Sequence, residues 1–223
     1  MVKIELLKKE EINIEISEVL RYLGYKNNKA DDDITEKINK CIKIIKHLLV
    51  CRACFEEFEL KTGEDIIFAN IKTSSKSLKK NLGDCKSVIV FVATIGMGVE
   101  RELLKNSISS PSAAVIYQAV ATAFIEKWCD ILNEKFKIEK AKENKFLRPR
   151  FSPGYGDFSI EHQKEIFEIL DCPRKIGVSL TKQLMMTPSK SVSAIIGVGD
   201  SDIGCSVNDC SDCEKTDCEF RRG

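Results

Sequence analysis

The chain has 223 residues, 43% of them hydrophobic and 31% charged, enough for one large domain or two small ones with a sizeable core. A formal net charge of +1 leaves no electrostatic footprint for nucleic acid or an anionic membrane, and neither is expected as a partner. Ten cysteines accompany only His47 and His162, so a His-rich metal site or a catalytic Cys–His pair is poorly supported.

The opening "MVKIELLKKEEINIEI" has its apolar run broken by charge and carries no signal-peptide pattern, so a cytoplasmic location is expected. Thiols stay reduced there, which argues against a disulfide framework. Residues 16–24 read as a short helix ending at Gly24. Asp33 and Glu36 mark the start of a second helix, whose period runs through Ile34, Ile38, Cys41, Ile42, Ile45, Leu48 and Leu49 toward Phe58. On that helix Cys51 and Cys54 fall near one face, where they are expected to pack as small hydrophobes.

Residues 64–72 and 86–94, rich in Ile, Val and Phe, read as strands. A short helix over 99–105 follows, and Pro111 opens a long one ending near Phe136. Its weakly polar run 113–125 is too short to span a bilayer and contains Gln118 and Thr122. Residues 137–147 are highly charged and expected to be exposed. Ser159 is placed to cap a helix through Leu170. Residues 175–186 and 191–199 are strand candidates around Pro188. Helices and strands do not alternate as a doubly wound sheet requires, so the expected class is α+β, over residues 1–198.

Residues 199–223 change character. Beyond Gly199 lie seven acids, three bases, four cysteines and few large apolar side chains, too little for a core. Cys205, Cys210, Cys213 and Cys218 follow a C-x4-C-x2-C-x4-C spacing within one short loop. Four soft thiolates suit an iron–sulfur cluster or tetrahedral zinc. The first three match the C-x4-C-x2-C spacing of plant-type ferredoxins, which makes a cluster the first expectation and zinc the alternative.

The other unusual stretch is "RFSPGY", residues 150–155. Gly154 permits close backbone approach, Arg150 offers a donor fork suited to a carboxylate, and Tyr155 adds an aromatic face. Read alone, Pro-Gly-Tyr is also an ordinary turn. The stretch resembles the R-x-[AS]-P-G-Y signature of the activation (reactivation) domain of cobalamin-dependent methionine synthase. Downstream, "LTKQLMMTPSKSVS" (180–193) is similar to that domain's L-T…M-x-P-x-x-S-V-S segment, through Leu180, Thr181, Met186, Pro188, Ser191, Val192 and Ser193. Between them "EHQKEIFEIL" (161–170) resembles its H-x-x-K…L segment, with His162 and Lys164 one residue closer. "VLRYLGY" (19–25) resembles the start of smaller, free-standing relatives, which also tend to carry a cysteine-rich end.

The resemblance implies a mainly antiparallel sheet with flanking helices and a domain that binds S-adenosylmethionine. Such a domain sits over oxidised cob(II)alamin so that electron delivery and methyl transfer restore methylcobalamin. Carried over, Arg150 binds the methionine carboxylate, backbone groups at Ser152 and Gly154 hold the ligand, and Tyr155 packs beside it. Glu126 is the best match for an acid on the family's long helix, although Gln118, Thr122, Glu126 and Asp130 also fit a solvated helix stripe. Ile195 and Ile196 replace an aromatic pair, and His162 is expected to be structural, with no evident partner acid.

The expected function is therefore a free-standing activation protein for a cobalamin-dependent methionine synthase or a related corrinoid methyltransferase. S-adenosylmethionine is the methyl donor, and cobalamin belongs to the partner chain, since no D-x-H-x-x-G loop is present. A zinc-stabilised interaction module and a corrinoid-binding protein without methyl transfer stand as alternatives.

Overall fold

The structure is a computed structural model that describes residues 1–25 and 30–201. In chain order its elements are β1 (Lys3–Leu7), α1 (Ile16–Tyr22), α2 (Asp32–Leu48), β2 (Cys51–Thr62), β3 (Ile66–Phe68), β4 (Ile71–Thr73), α3 (Lys76–Leu82) and β5 (Ser87–Thr94). Then follow α4 (Met97–Ser109), α5 (Pro111–Ala141), β6 (Phe146–Leu147), α6 (His162–Leu170), α7 (Cys172–Ile176), β7 (Ser179–Leu180), β8 (Met186–Thr187) and β9 (Ser191–Gly199). Among the described residues no helix is long and apolar enough to cross a membrane.

The main sheet runs β4-β3-β2-β5-β9-β6, with β1 also on β2, and every pairing is antiparallel. Central β5, "SVIVFVAT", is buried along nearly its whole length. A strand covered on both faces reads as a continuous apolar run rather than an alternating one. Phe91 and Ala93 face a core built with Val19, Ile38, Ile45, Val99, Phe124 and Trp128, so α1, α2, α4 and α5 cover that face. Val90 and Val92 face the opposite core, closed by Leu78, Leu82, Ile166, Leu170 and Ile176 from α3, α6 and α7. Helices on both faces of an antiparallel sheet give the α+β class.

Several sequence expectations are corrected. The second helix stops at Leu48, and residues 51–62 form β2, because Ala and Glu within "CRACFEEFELKT" mask a strand under helical propensity. Cys51 and Cys54 therefore lie on a strand and face opposite cores, both buried, with the Cys54 sulfur 3.7 Å from that of Cys172. Residues 64–72 are two strands joined at Ala69-Asn70, a hairpin that lacks the usual glycine signal, and Ala69 takes φ +48°. The helix expected over 99–105 spans Met97–Ser109. The long helix passes its expected end and reaches Ala141, with Lys140 2.7 Å from Glu57 on β2.

Residues 175–186 are not one strand. α7 ends at Gly177 in the left-handed region, and a two-strand hairpin, β7–β8, follows. Helix α6 starts at His162 rather than directly after Ser159, whose hydroxyl accepts from the Glu161 amide at 3.2 Å. β1 was not foreseen: Lys3-Ile4-Glu5-Leu6 does alternate, but the run is short and its apolar Ile4 and Leu6 face outward. The boundary expected at 198 falls at the end of β9, and Cys205, Cys210, Cys213 and Cys218 lie outside the described residues.

Phe136 of α5 sits with its ring centroid 4.7 Å from Phe55 and 6.2 Å from Phe91, tying the longest helix to β2 and β5. Truncating Phe91, which is fully buried, leaves a cavity that neighbours on both strands cannot fill. Phe91→Ala is expected to cost about 3–5 kcal/mol in equilibrium chemical denaturation. A loss below about 1 kcal/mol, the range of ordinary surface changes, would contradict this packing.

Candidate functional site

The site grows from the edge of β9. Residues after α5 return along that edge: β6 pairs Phe146 with Gly199 and Leu147 with Val198. The Arg148 amide then donates to the Gly197 carbonyl at 2.8 Å, and Phe151 exchanges two bonds with Ile195, at 2.9 and 2.8 Å. Beyond that bridge the chain leaves the strand, so among the described residues no strand covers the edge of residues 191–194.

Two arginines on this return segment have different surroundings. Arg148 is buried, its guanidinium 2.6 Å from Asp84 and 2.9 Å from the Ser201 carbonyl. Arg150 reaches over α5, where its Nη2 donates to Asp130 at 3.0 Å and Glu126 at 3.3 Å. Burial works against the Arg150 charge, but Glu126 and Asp130 outweigh it and raise its pKa. Burial in turn pushes the Cys129 thiol up to about 12, so it stays protonated beside the guanidinium. Both Arg150 bonds leave from one nitrogen of a group that carries five N–H donors.

The turn that follows is anchored twice. Tyr155 N–H donates to Ser152 C=O at 3.1 Å, and Gly154 N–H to Phe158 C=O at 2.7 Å. Gly154 adopts φ +94° and Gly156 +52°. A Cβ on Gly156 would lie 2.4 Å from the Ser77 hydroxyl, so only glycine lets the loop touch α3. Asp157 completes the contact. It accepts from Ser75 Oγ at 2.6 Å, Lys76 N–H at 2.8 Å and Ser77 N–H at 3.0 Å. A carboxylate at a helix start satisfies orphan amides and meets the positive end of the dipole.

The "TPSKSVS" segment is fastened from the other side. Ser189 donates to Glu100 from its amide at 2.8 Å and its hydroxyl at 2.5 Å. Lys190, its pKa lowered by burial, donates to Thr122 at 2.9 Å. Ser191 Oγ reaches Thr94 at 2.9 Å and the Pro188 carbonyl at 2.8 Å. Thr122, Glu126 and Asp130 thus face the site-bearing loops, while Gln118 of the same stripe stays exposed.

These elements enclose a cavity of about 330 Å³. Glu126 lines it from α5, Arg150, Ser152 and Tyr155 from the loop, Gln163 from α6, and Met186 with residues 191–194 from the β8–β9 side. Four of the five expected site residues are brought together. Gly154 shapes the turn without lining the cavity, and its amide is already used by Phe158. Ile195 and Ile196 are fully buried in the two cores and do not line it. His162 has a partner acid after all: Nδ1 lies 2.5 Å from Glu165, and the ring stacks on Phe158 at 4.8 Å.

Sequence reasoning did not count Gln163 among the site residues, nor Ser193, which it quoted only as part of the S-V-S segment. Gln163 shares a buried helix face with Ile166, Phe167 and Leu170, and a polar residue at i of an i+3, i+4, i+7 apolar stripe was the available signal. Ser193 Oγ and Gln163 Oε1 are buried without a hydrogen-bond partner among the described residues. Leaving such atoms unpaired costs about 1–3 kcal/mol each.

Among the described residues no group of His, Cys, Asp or Glu is arranged to hold a metal ion. What the fold and site define is a class, an α+β domain with a cleft sized for a small molecule at the edge of its antiparallel sheet. The profile of the family described as "Vitamin B12 dependent methionine synthase, activation domain" matches residues 78–218, and the chain belongs to that family. Among solved structures, the MetH reactivation domain bound to AdoHcy matches with a TM-score of 0.68, over 93% of this chain and 81% of that one. Sequence identity to it is 15%, so this likeness speaks for the fold. No curated protein sequence matches the chain.

The Asp157 contact yields a pH prediction. Hydrogen bonds from Ser75, Ser77 and Lys76 hold this carboxylate well below the usual range. Its contribution is therefore complete above the unfolded value, about 3.9, and is lost as pH falls through the lower folded value. Asp157→Ala is expected to melt below wild type at pH 7, with the gap narrowing steadily as pH drops below about 4. A gap that is independent of pH between 2 and 7, about two units below and three above that reference value, would remove the ionised cap.

Proposed function

We propose that this chain is an activation module that binds S-adenosylmethionine in the cavity between α5, β9 and residues 149–155. There it supports reductive methylation of a corrinoid held by a cobalamin-dependent methionine synthase or a related corrinoid methyltransferase. The observation that carries this reading is the Arg150–Glu126 pair at a cavity of about 330 Å³. A guanidinium beside a carboxylate is matched to the α-carboxylate and α-ammonium of an amino-acid ligand. Family membership supports the activation role, and the fold relative with AdoHcy, the demethylated form of the same donor, supports the ligand class.

In this reading Arg150 takes the carboxylate and Glu126 the ammonium, and the loop backbone at Ser152 and Gly154 follows the ligand. The Gly154 amide is spent inside the turn, so the Ser152 amide and Gly154 carbonyl are the groups assigned here. Tyr155, 58% exposed, packs over the ligand. Met185, adjacent to the lining Met186, is 65% exposed and adds apolar surface toward an incoming corrinoid. The methyl group passes from the sulfonium to the reduced corrinoid, the S–CH3 bond breaks, and S-adenosylhomocysteine remains. The corrinoid comes from outside these 223 residues.

The reaction also needs one electron. Cys205, Cys210, Cys213 and Cys218 are assigned to a separate tail, residues 199–223, in a cytoplasmic protein. Four thiolates suit an iron–sulfur cluster, with zinc the alternative, and a cluster would supply low-potential electrons. Anaerobic purification followed by iron, zinc and sulfide analysis is expected to give iron with acid-labile sulfide. Stoichiometric zinc without sulfide would reduce the tail to a structural clip.

Calorimetry with S-adenosylmethionine tests the site. Wild type is expected to bind, and Arg150→Ala to lose about 10- to 100-fold in affinity, as for a charged hydrogen bond. Wild type that takes up neither S-adenosylmethionine nor S-adenosylhomocysteine would overturn the reading in favour of an interaction module.

A further inference from the structure

The charged clamp occupies the α5 side of the cavity, yet the cavity continues past the β9 edge to α6. Residues 191–194 all line it. On a strand, consecutive residues alternate between faces, so four in a row meet a ligand only if it lies along the strand edge. Among the described residues no strand pairs with this edge. Ile195 turns both its N–H and its C=O outward to Phe151, and Gly197 turns its C=O outward to Arg148. By the alternation of an antiparallel ladder, Ser193 presents its own N–H and C=O on that same outer edge.

The side chains continue the pattern. Ser193 is 2% exposed and Gln163 6%. Ser191, on the same face as Ser193, has both Thr94 and the Pro188 carbonyl as partners. Ser193 Oγ and Gln163 Oε1 have none among the described residues. Of the five such atoms among the described residues, these two belong to the cavity wall. Buried polar groups are paired in folded proteins unless something else completes them.

The chemistry of this second wall is neutral. An amide edge, a hydroxyl and a carboxamide offer donors and acceptors without charge, which suits a sugar or a nucleobase edge. We propose that Gln163 and Ser193 are specificity-determining residues that hydrogen-bond the nucleoside half of the ligand whose amino-acid half Arg150 holds. This rests on the S-adenosylmethionine reading above and divides the cavity into a charged end and a neutral end.

The test compares two probes on the purified full chain. S-adenosylmethionine carries both halves; 5′-methylthioadenosine keeps the nucleoside and lacks the amino acid. Gln163→Leu and Ser193→Ala are expected to weaken both probes by about tenfold or more, the scale of a hydrogen bond lost to a buried site. Arg150→Ala is expected to weaken S-adenosylmethionine alone. Without ligand, Ser193→Ala removes one unpaired oxygen, so its melting temperature should equal or exceed that of wild type. A melting temperature clearly below wild type would instead mark the hydroxyl as structural and overturn its assignment.

Wild-type binding with both variants unchanged would overturn this inference and leave the functional reading intact. Variants that lose S-adenosylmethionine but keep 5′-methylthioadenosine would move both residues to the amino-acid half, against the proposal. Wild type that binds neither probe would overturn the functional reading itself. If Gln163→Leu fails to fold, Ser193→Ala decides alone.

Discussion

Everything at the site follows from where one short ladder stops. Residues 146–151 pair with β9 as far as the Phe151–Ile195 bridge and no further. Up to that point the sheet is closed. Past it, no described strand pairs with the edge, and backbone donors and acceptors that would ordinarily invite another strand face a cavity. Arg148 fixes the ladder from below through Asp84, while Arg150, two residues on, overhangs α5. The spacing of two matters. In an extended segment it would send both side chains to one side, and the Pro149 between them and the departure of the chain separate their roles.

Charge and burial are balanced at the clamp rather than minimised. The Arg150 side chain is 17% exposed and stands between two half-exposed carboxylates, so its charge is paired without being sealed from solvent. A fully buried triad would have cost more in desolvation than it returned. In the proposed reading, groups left at a cavity are free to exchange partners with a zwitterionic ligand. Cys129 beneath them is buried and protonated, and adds bulk without competing charge.

Much of the frame was legible because helices and buried strands carry strong periods. The long helix, β5 and β9 followed from apolar spacing, and "RFSPGY" marked the loop. β2 was missed because buried Cys51, Ala53, Cys54 and Phe55, set among Arg52 and glutamates, break the two-residue alternation in a pattern that also fits a helix. The β3–β4 hairpin was hidden because Ala69 takes a positive φ that glycine or asparagine would normally announce. Ser193 was quoted within the S-V-S segment but not given a place at the site, since nothing in "SVSAIIGVG" tells an edge facing a cavity from an edge facing a partner strand. Gln163 could have been, from its place on an apolar stripe.

The anchoring pattern gives the cavity its character. The loop is tied to α3 through Gly156 and Asp157, to β9 through Phe151, and to α5 through Arg150. The opposite wall is tied through Ser189, Lys190 and Ser191 to α4, α5 and β5. Walls held this way lose little further freedom when a ligand enters, so ordering cost is already met in folding. The unpaired oxygens of Gln163 and Ser193 are the complement of that rigidity. A mobile wall would have relaxed until they found partners, whereas a fixed one keeps them available for a ligand.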